Sequence, residues 1–158
     1  MKRLKLYLDT TVWNFAFADD APQYTEATLE FFKLVRWGRF DIYTSETVLV
    51  EVEDAPDKRR RQIAALMGEV RPQRLELHGE VERLAKEYLK KEALPKRSLY
   101  DAYHVAYATF HGMDAVLSWN FKHLANINRH RRIVGINAQE GYNKDLQIMT
   151  PLEVIGHE

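Results

Sequence analysis

Three carboxylates and one amide, from four separate parts of this sequence, have the chemistry of a metal-assisted hydrolytic site. Asp9 ends a predicted strand, Glu51 lies about two turns into a predicted helix, Asp101 stands in the first turn of another helix, and Asn120 follows a later strand by two residues. If these elements share one end of a sheet, the four side chains meet in one crevice. Carboxylates about 5 Å apart repel by roughly 3 kcal/mol per pair at an effective dielectric near 20. A divalent cation removes that repulsion, and oxygen ligands without sulfur select a hard ion such as Mg²⁺ or Mn²⁺. Such an ion activates water and steadies the leaving oxygen in phosphodiester hydrolysis. Taken singly, each residue has an ordinary reading as a turn, a helix cap or a solvent-facing side chain. The joint arrangement carries the expectation.

The elements that must position these residues follow from apolar spacing. Leu4 to Leu8 reads as a buried strand that stops at Asp9-Thr10-Thr11. Thr25 to Trp37 has helical spacing and stops at Gly38. Asp41 to Thr44 is a second strand, and Ser45 is placed to cap a helix carrying Val48, Leu49 and Val52 that Pro56 ends or bends. Arg59 to Val70 and Glu80 to Glu92 are predicted helices, the latter amphipathic and closed by Pro95. Ser98 to Phe110 is a buried helix opening on a capping-box-like Ser98-Leu99-Tyr100-Asp101, with Gly112 as its stop. Ala115 to Ser118 is a third strand, and Arg132 to Val134 and Leu146 to Met149 read as further strands. Strands alternating with helices predict an α/β layered domain with a mostly parallel sheet, whose ligand sites lie beyond the carboxyl ends of the strands.

Composition narrows the function classes. The 158 residues fit one domain, 1–158. The absence of cysteine excludes disulfides, thiolate metal sites and a cysteine nucleophile. No apolar run is long enough to cross a bilayer, and Asp9 interrupts the first apolar segment, so no membrane association and a cytoplasmic location are expected. With 23 basic and 23 acidic residues the net charge is zero, so attraction to nucleic acid must come from patches such as 58–61 or 129–132. No His-Glu-x-x-His pattern occurs, and no glycine-rich loop follows the first strand. Trp13 and Trp119 flank the acids and read first as packing residues, with base stacking as the other reading.

Four segments, in order, resemble the PIN-domain nuclease family, especially its VapC-type toxin members. They are Leu6-Tyr7-Leu8-Asp9-Thr10-Thr11, then Thr44 to Glu51, then Asp101-Ala102-Tyr103-His104-Val105-Ala106-Tyr107-Ala108, then Asp114 to Leu124 around Ser118-Trp119-Asn120-Phe121. The closing Ile148-Met149-Thr150-Pro151-Leu152-Glu153 is similar to the family's last strand and Thr-Pro tail. The resemblance implies a PIN-like, Rossmann-like three-layer fold, a mostly parallel central sheet flanked by helices. It implies Mg²⁺- or Mn²⁺-dependent endoribonuclease activity that leaves a 5′-phosphate. Asp9, Glu51 and Asp101 match the family's metal-binding acids, and Asn120 matches a fourth position that is often Asp. An amide there can coordinate but brings no charge, so a second metal is expected to bind more weakly. Thr10, Thr11 and Ser118 are expected to support the acids, and Arg129, Arg131 and Arg132 to grip the RNA backbone. A VapC-type toxin further implies a small antitoxin partner and a homodimer. Two alternatives stay open: a catalytically weak RNA- or protein-binding module, and a DNA-directed nuclease on the same scaffold.

Overall fold

A computed structural model describes residues 2 to 156. Five strands, β1 (Leu4–Leu8), β2 (Phe40–Ser45), β3 (Gln73–Leu75), β4 (Ala115–Leu117) and β5 (Gln147–Met149), form a sheet in the spatial order β3-β2-β1-β4-β5. Every pairing in it is parallel. β1 is central, with Tyr7 opposite Tyr43 of β2 on one side and Val116 of β4 on the other. Because Leu6, Tyr7 and Leu8 are all fully buried, helices cover both faces of this strand. The chain runs outward from β1 through β2 to β3, then returns to place β4 on the opposite side. The order therefore reverses between β1 and β4, and the residues that follow these two strands line the crevice where such sheets bind ligands.

Eight helices flank the sheet among the described residues: α1 (Thr10–Phe15), α2 (Pro22–Arg36), α3 (Glu46–Glu53), α4 (Asp57–Val70), α5 (Gly79–Lys90), α6 (Leu99–Phe110), α7 (Ile127–Gln139) and α8 (Pro151–Ile155). α6 is buried from His104 through Thr109, in keeping with its near-continuous apolar sequence. α5 packs against it through Val81, Leu84, Ala85 and Tyr88. The Tyr88 hydroxyl meets Thr109 Oγ1 at 3.1 Å and donates to Asn137 Oδ1 of α7 at 2.5 Å, so three helices share one buried polar contact. Gly38 ends α2 with φ 77°, a conformation that Cβ-bearing residues rarely adopt.

Several expectations are corrected. Arg132 to Val134 is not a strand but the middle of α7, where Asn126 caps the helix by accepting from Arg129 N. Ile133, Ile136 and Asn137 form its buried face, a helical spacing that outweighs the β-branched pair Ile133-Val134. Ala115 to Leu117 is the fourth strand rather than the third, because the short Gln73–Leu75 pairs with β2. Pro56 does not end α3, which stops at Glu53; it stands at the start of α4. Ser45 and Ser98 occupy cap positions, but neither side chain caps its helix. Ser45 Oγ instead meets the Tyr7 hydroxyl. The true capping box is Thr150 with Glu153, opening α8.

Candidate active site

Each acid arrives on a different element. Asp9 leaves the end of β1, and its backbone N–H donates to Leu117 O at the end of β4. Its side chain caps α1, with Oδ1 accepting from Val12 N and Thr11 Oγ1. Thr11 Oγ1 also accepts from Trp119 N at 2.9 Å, so one hydroxyl ties the exits of β1 and β4 together. Glu51 projects from the second turn of α3, and its Oε1 accepts from Thr10 Oγ1 at 2.7 Å and from His104 Nε2 at 2.6 Å. Asp101 stands in the first turn of α6, where Oδ2 accepts from Asn120 Nδ2 at 3.0 Å. Asn120 Oδ1 is engaged by His123 N at 3.1 Å, and Asn120 N donates to Ser118 Oγ at 2.9 Å.

These side chains feel one another electrostatically. Burial pushes the Asp9 carboxyl up to about 6; His104 and the Ser118 and Thr11 hydroxyls pull against that rise, and Asp101 adds to it. Asp101 is likewise raised, first by burial and then by the charge of Glu51, with His104 and Asn120 opposing. Burial also works to raise Glu51, but the His104 contact and the Thr10 hydroxyl outweigh it and hold Glu51 below the usual carboxylate range. For His104 burial favours the neutral ring, and the three acids overcome it and raise its pKa. The acids therefore form one interacting group around His104.

In each acid one oxygen is tied by hydrogen bonds from this chain: Oδ1 of Asp9, Oε1 of Glu51 and Oδ2 of Asp101. Asp9 is buried, while Glu51 and Asp101 are partly exposed. As the side chains lie, no three His, Cys, Asp or Glu among the described residues stand close enough to hold one ion. The donor chemistry is nonetheless that of a hard divalent site: three carboxylates, two of them raised by burial and mutual charge.

The structure brings Asp9, Thr10, Thr11, Glu51, Asp101, Ser118 and Asn120 into this network. Asn120 enters it with its amide nitrogen toward Asp101, not with the oxygen a metal ligand would offer. The three arginines take other places. Arg129 donates to Ala93 O at 3.1 Å and Arg132 to Glu92 O at 3.5 Å, bracing the α5–α6 connection, while Arg131 is exposed. In the 58–61 patch, Arg59 holds Asn14 O at the end of α1 and Phe17 O just after it, and Arg60 pairs with Asp57. Trp13 and Trp119 are buried and pack. A cleft of about 660 Å³ opens beside Glu51, lined by Phe15, Phe17, Lys58, Arg59 and Gln62 among others. His104 is the participant that sequence reasoning missed. Its signal was its place one helical turn after Asp101, on the same face of α6.

A parallel α/β sheet with coupled acids at its topological switch point defines a Rossmann-like domain with an acidic site. The PIN domain family model matches residues 6–127, and the chain belongs to the PIN domain family, whose members are nucleases. Among solved structures, the fold is similar to the crystal structure of VapBC2 from Rickettsia felis bound to a DNA fragment from their promoter. The match has a TM-score of 0.61 at 13% identity and covers 93% of this chain and 98% of that one. No curated protein sequence matches the chain. No helix among the described residues is long and apolar enough to cross a membrane.

Proposed function

We propose that this PIN domain is a metal-dependent endoribonuclease, the toxin of a toxin–antitoxin pair, acting in the cytoplasm as a homodimer. The observation that carries this reading is the coupling of Asp9, Glu51 and Asp101 at the β1–β4 switch point. Asp9 and Asp101 would hold Mg²⁺ or Mn²⁺, with Asn120 Nδ2 donating to Asp101 Oδ2. When bound, the ion supplies Lewis acidity at the phosphate and lowers the pKa of water. Glu51 Oε2 orients the attacking water and accepts its proton. Water attacks phosphorus in line, the bond to the 3′ oxygen breaks, the leaving 3′ oxygen takes a proton from solvent, and a 5′-phosphate and a 3′-hydroxyl result. The Rickettsia felis neighbour is a VapBC protein, which supports a small antitoxin as this chain's partner.

The test is cleavage of labelled single-stranded RNA and DNA in Mg²⁺, Mn²⁺ and EDTA. Metal-dependent RNA cleavage supports the reading, DNA cleavage alone moves it to a DNA-directed nuclease, and RNA binding without cleavage or metal uptake contradicts it. A second reading, a catalytically weak RNA- or protein-binding module, draws on the orientation of Asn120. Its amide donates to Asp101 where an acid would add charge.

That orientation yields a prediction. Asn120→Asp replaces a donor with a carboxylate 3.0 Å from Asp101 Oδ2. The metal-free variant is expected to be about 1–3 kcal/mol less stable through the lost hydrogen bond and the new repulsion. Mn²⁺ should restore its melting temperature and bind it more tightly than wild type, which melting curves with and without Mn²⁺ measure.

A further inference from the structure

A buried hydrogen-bond chain ends on Glu51 and has no part in the scheme above. Ser45 Oγ stands 2.6 Å from the Tyr7 hydroxyl, that hydroxyl 2.7 Å from His104 Nδ1, and His104 Nε2 2.6 Å from Glu51 Oε1. Ser45 closes β2, Tyr7 lies within β1 and His104 is on α6, and none of the three is more than 1% exposed. A carboxylate only accepts, so Nε2 carries a hydrogen whether the ring is neutral or charged. In the neutral ring Nδ1 then accepts from the Tyr7 O–H, which in turn accepts from Ser45. Thr10 Oγ1 gives the same Glu51 oxygen a second donor at 2.7 Å. Two donors on Oε1 leave Oε2 as the oxygen open to the cleft.

We propose that His104 is a positioning residue for Glu51: with Thr10 it clamps Oε1 so that Oε2 meets a divalent cation or the attacking water, and the Tyr7–Ser45 hydroxyl pair fixes the plane of its ring. This rests on the nuclease reading. The Glu51 side chain is one-quarter exposed and has three rotatable bonds, so without the clamp it samples orientations that point Oε2 away. The ring is enclosed between β1 and α6 and cannot swing with it. Partners that orient a metal-binding side chain are worth about 10–100-fold in metal affinity.

The experiment compares wild type with His104→Gln, His104→Asn and Tyr7→Phe. The terminal amide of Gln reaches the Nε2 position and keeps a donor to Glu51. The amide of Asn reaches only the Nδ1 position and keeps Tyr7 as its partner instead. Both bury one neutral amide in the same space, so a merely structural role impairs them alike. The readouts are Mn²⁺ binding by metal-stripped protein, measured by calorimetry, and kcat and KM on single-stranded RNA. His104→Asn is expected to bind Mn²⁺ about 10–100-fold more weakly and to lose kcat with KM little changed, while His104→Gln stays within about threefold of wild type. Tyr7→Phe keeps the ring packing, falls between the two, and carries the test if His104→Asn does not fold. Equal impairment of the Gln and Asn variants, or wild-type Mn²⁺ affinity in His104→Asn or Tyr7→Phe, overturns the proposal. A wild-type protein that neither binds Mn²⁺ nor cleaves RNA overturns the nuclease reading itself, and the proposal with it.

Discussion

Asp9→Asn is expected to raise the melting temperature of the metal-free protein and to lower the proposed RNA cleavage by about 10³-fold, the scale of removing one dedicated electrostatic group from an active site. The two effects have one origin. Asp9 is 1% exposed, and burial lifts its carboxyl from 3.8 to about 6. A raised folded-state pKa means that the fold favours the neutral acid. Stability is therefore lost as pH rises through the window between 3.8 and about 6, and the full penalty is present above it. The shift of about two units corresponds to about 3 kcal/mol, an upper bound on what the uncharged amide recovers. Asn keeps an Oδ1 to accept from Val12 N, and Asn is as good an N-cap as Asp, so α1 should be unharmed. A recovery of about 1–2 kcal/mol raises the melting temperature by about 2–8 °C in a chain of this size. Melting curves in EDTA should show the gain at pH 7.5 and its disappearance at pH 4. In the wild type Mn²⁺ should raise the melting temperature, and in Asp9→Asn it should not. A site that is destabilised when empty and stabilised when filled is one built for a ligand.

Trp13→Ala is expected to cost about 3–5 kcal/mol, a large part of a typical total stability of about 5–15. Trp13 is fully buried on α1, with its ring 5.2 Å from that of Phe32 on α2. Removing the indole leaves a cavity directly beneath the helix that Asp9 caps. Loss of α1 packing releases Thr10 and Thr11 from Glu51 and Asp9, so cleavage should fall together with stability. Trp13→Phe is the informative companion. The indole N–H is buried without a hydrogen-bond partner among the described residues, so Phe removes an unsatisfied donor while keeping most of the apolar volume. Urea unfolding should place Trp13→Phe within about 1.5 kcal/mol of wild type and Trp13→Ala far below it.

The parts of the fold that were legible in the sequence are those whose signal is local. β1 announces itself because its apolar run breaks at a polar Asp9-Thr10-Thr11, and α6 because its apolar positions go nearly all the way round. α7 was misread because Ile133 and Val134 are β-branched neighbours among arginines, and its buried face is only three residues wide. β3 has three residues and one buried side chain, too little for any periodic signal. The acids were legible as candidates because each stands at an element boundary. Their coupling was not, because it depends on β4 returning to the side of β1 opposite β2. Asp101 shows the limit most clearly. In sequence it reads as a capping residue of its own helix, yet Oδ2 is held by Asn120 from another element. His104 escapes sequence reasoning for the same reason. Its meaning comes from Tyr7 and Ser45, which the sheet places beside it and the sequence keeps far away.

Under the proposed function, Asp9, Glu51 and Asp101 act together as a metal-dependent centre for cutting RNA. The most direct test incubates metal-stripped protein with 5′-labelled single-stranded RNA, adds Mn²⁺, and runs a folded Asp101→Asn variant beside it. Cleavage that begins only with Mn²⁺, leaves 5′-phosphate ends and is lost in the variant is the predicted result. Cleavage that persists in EDTA, or that the Asp101→Asn variant retains, would contradict it.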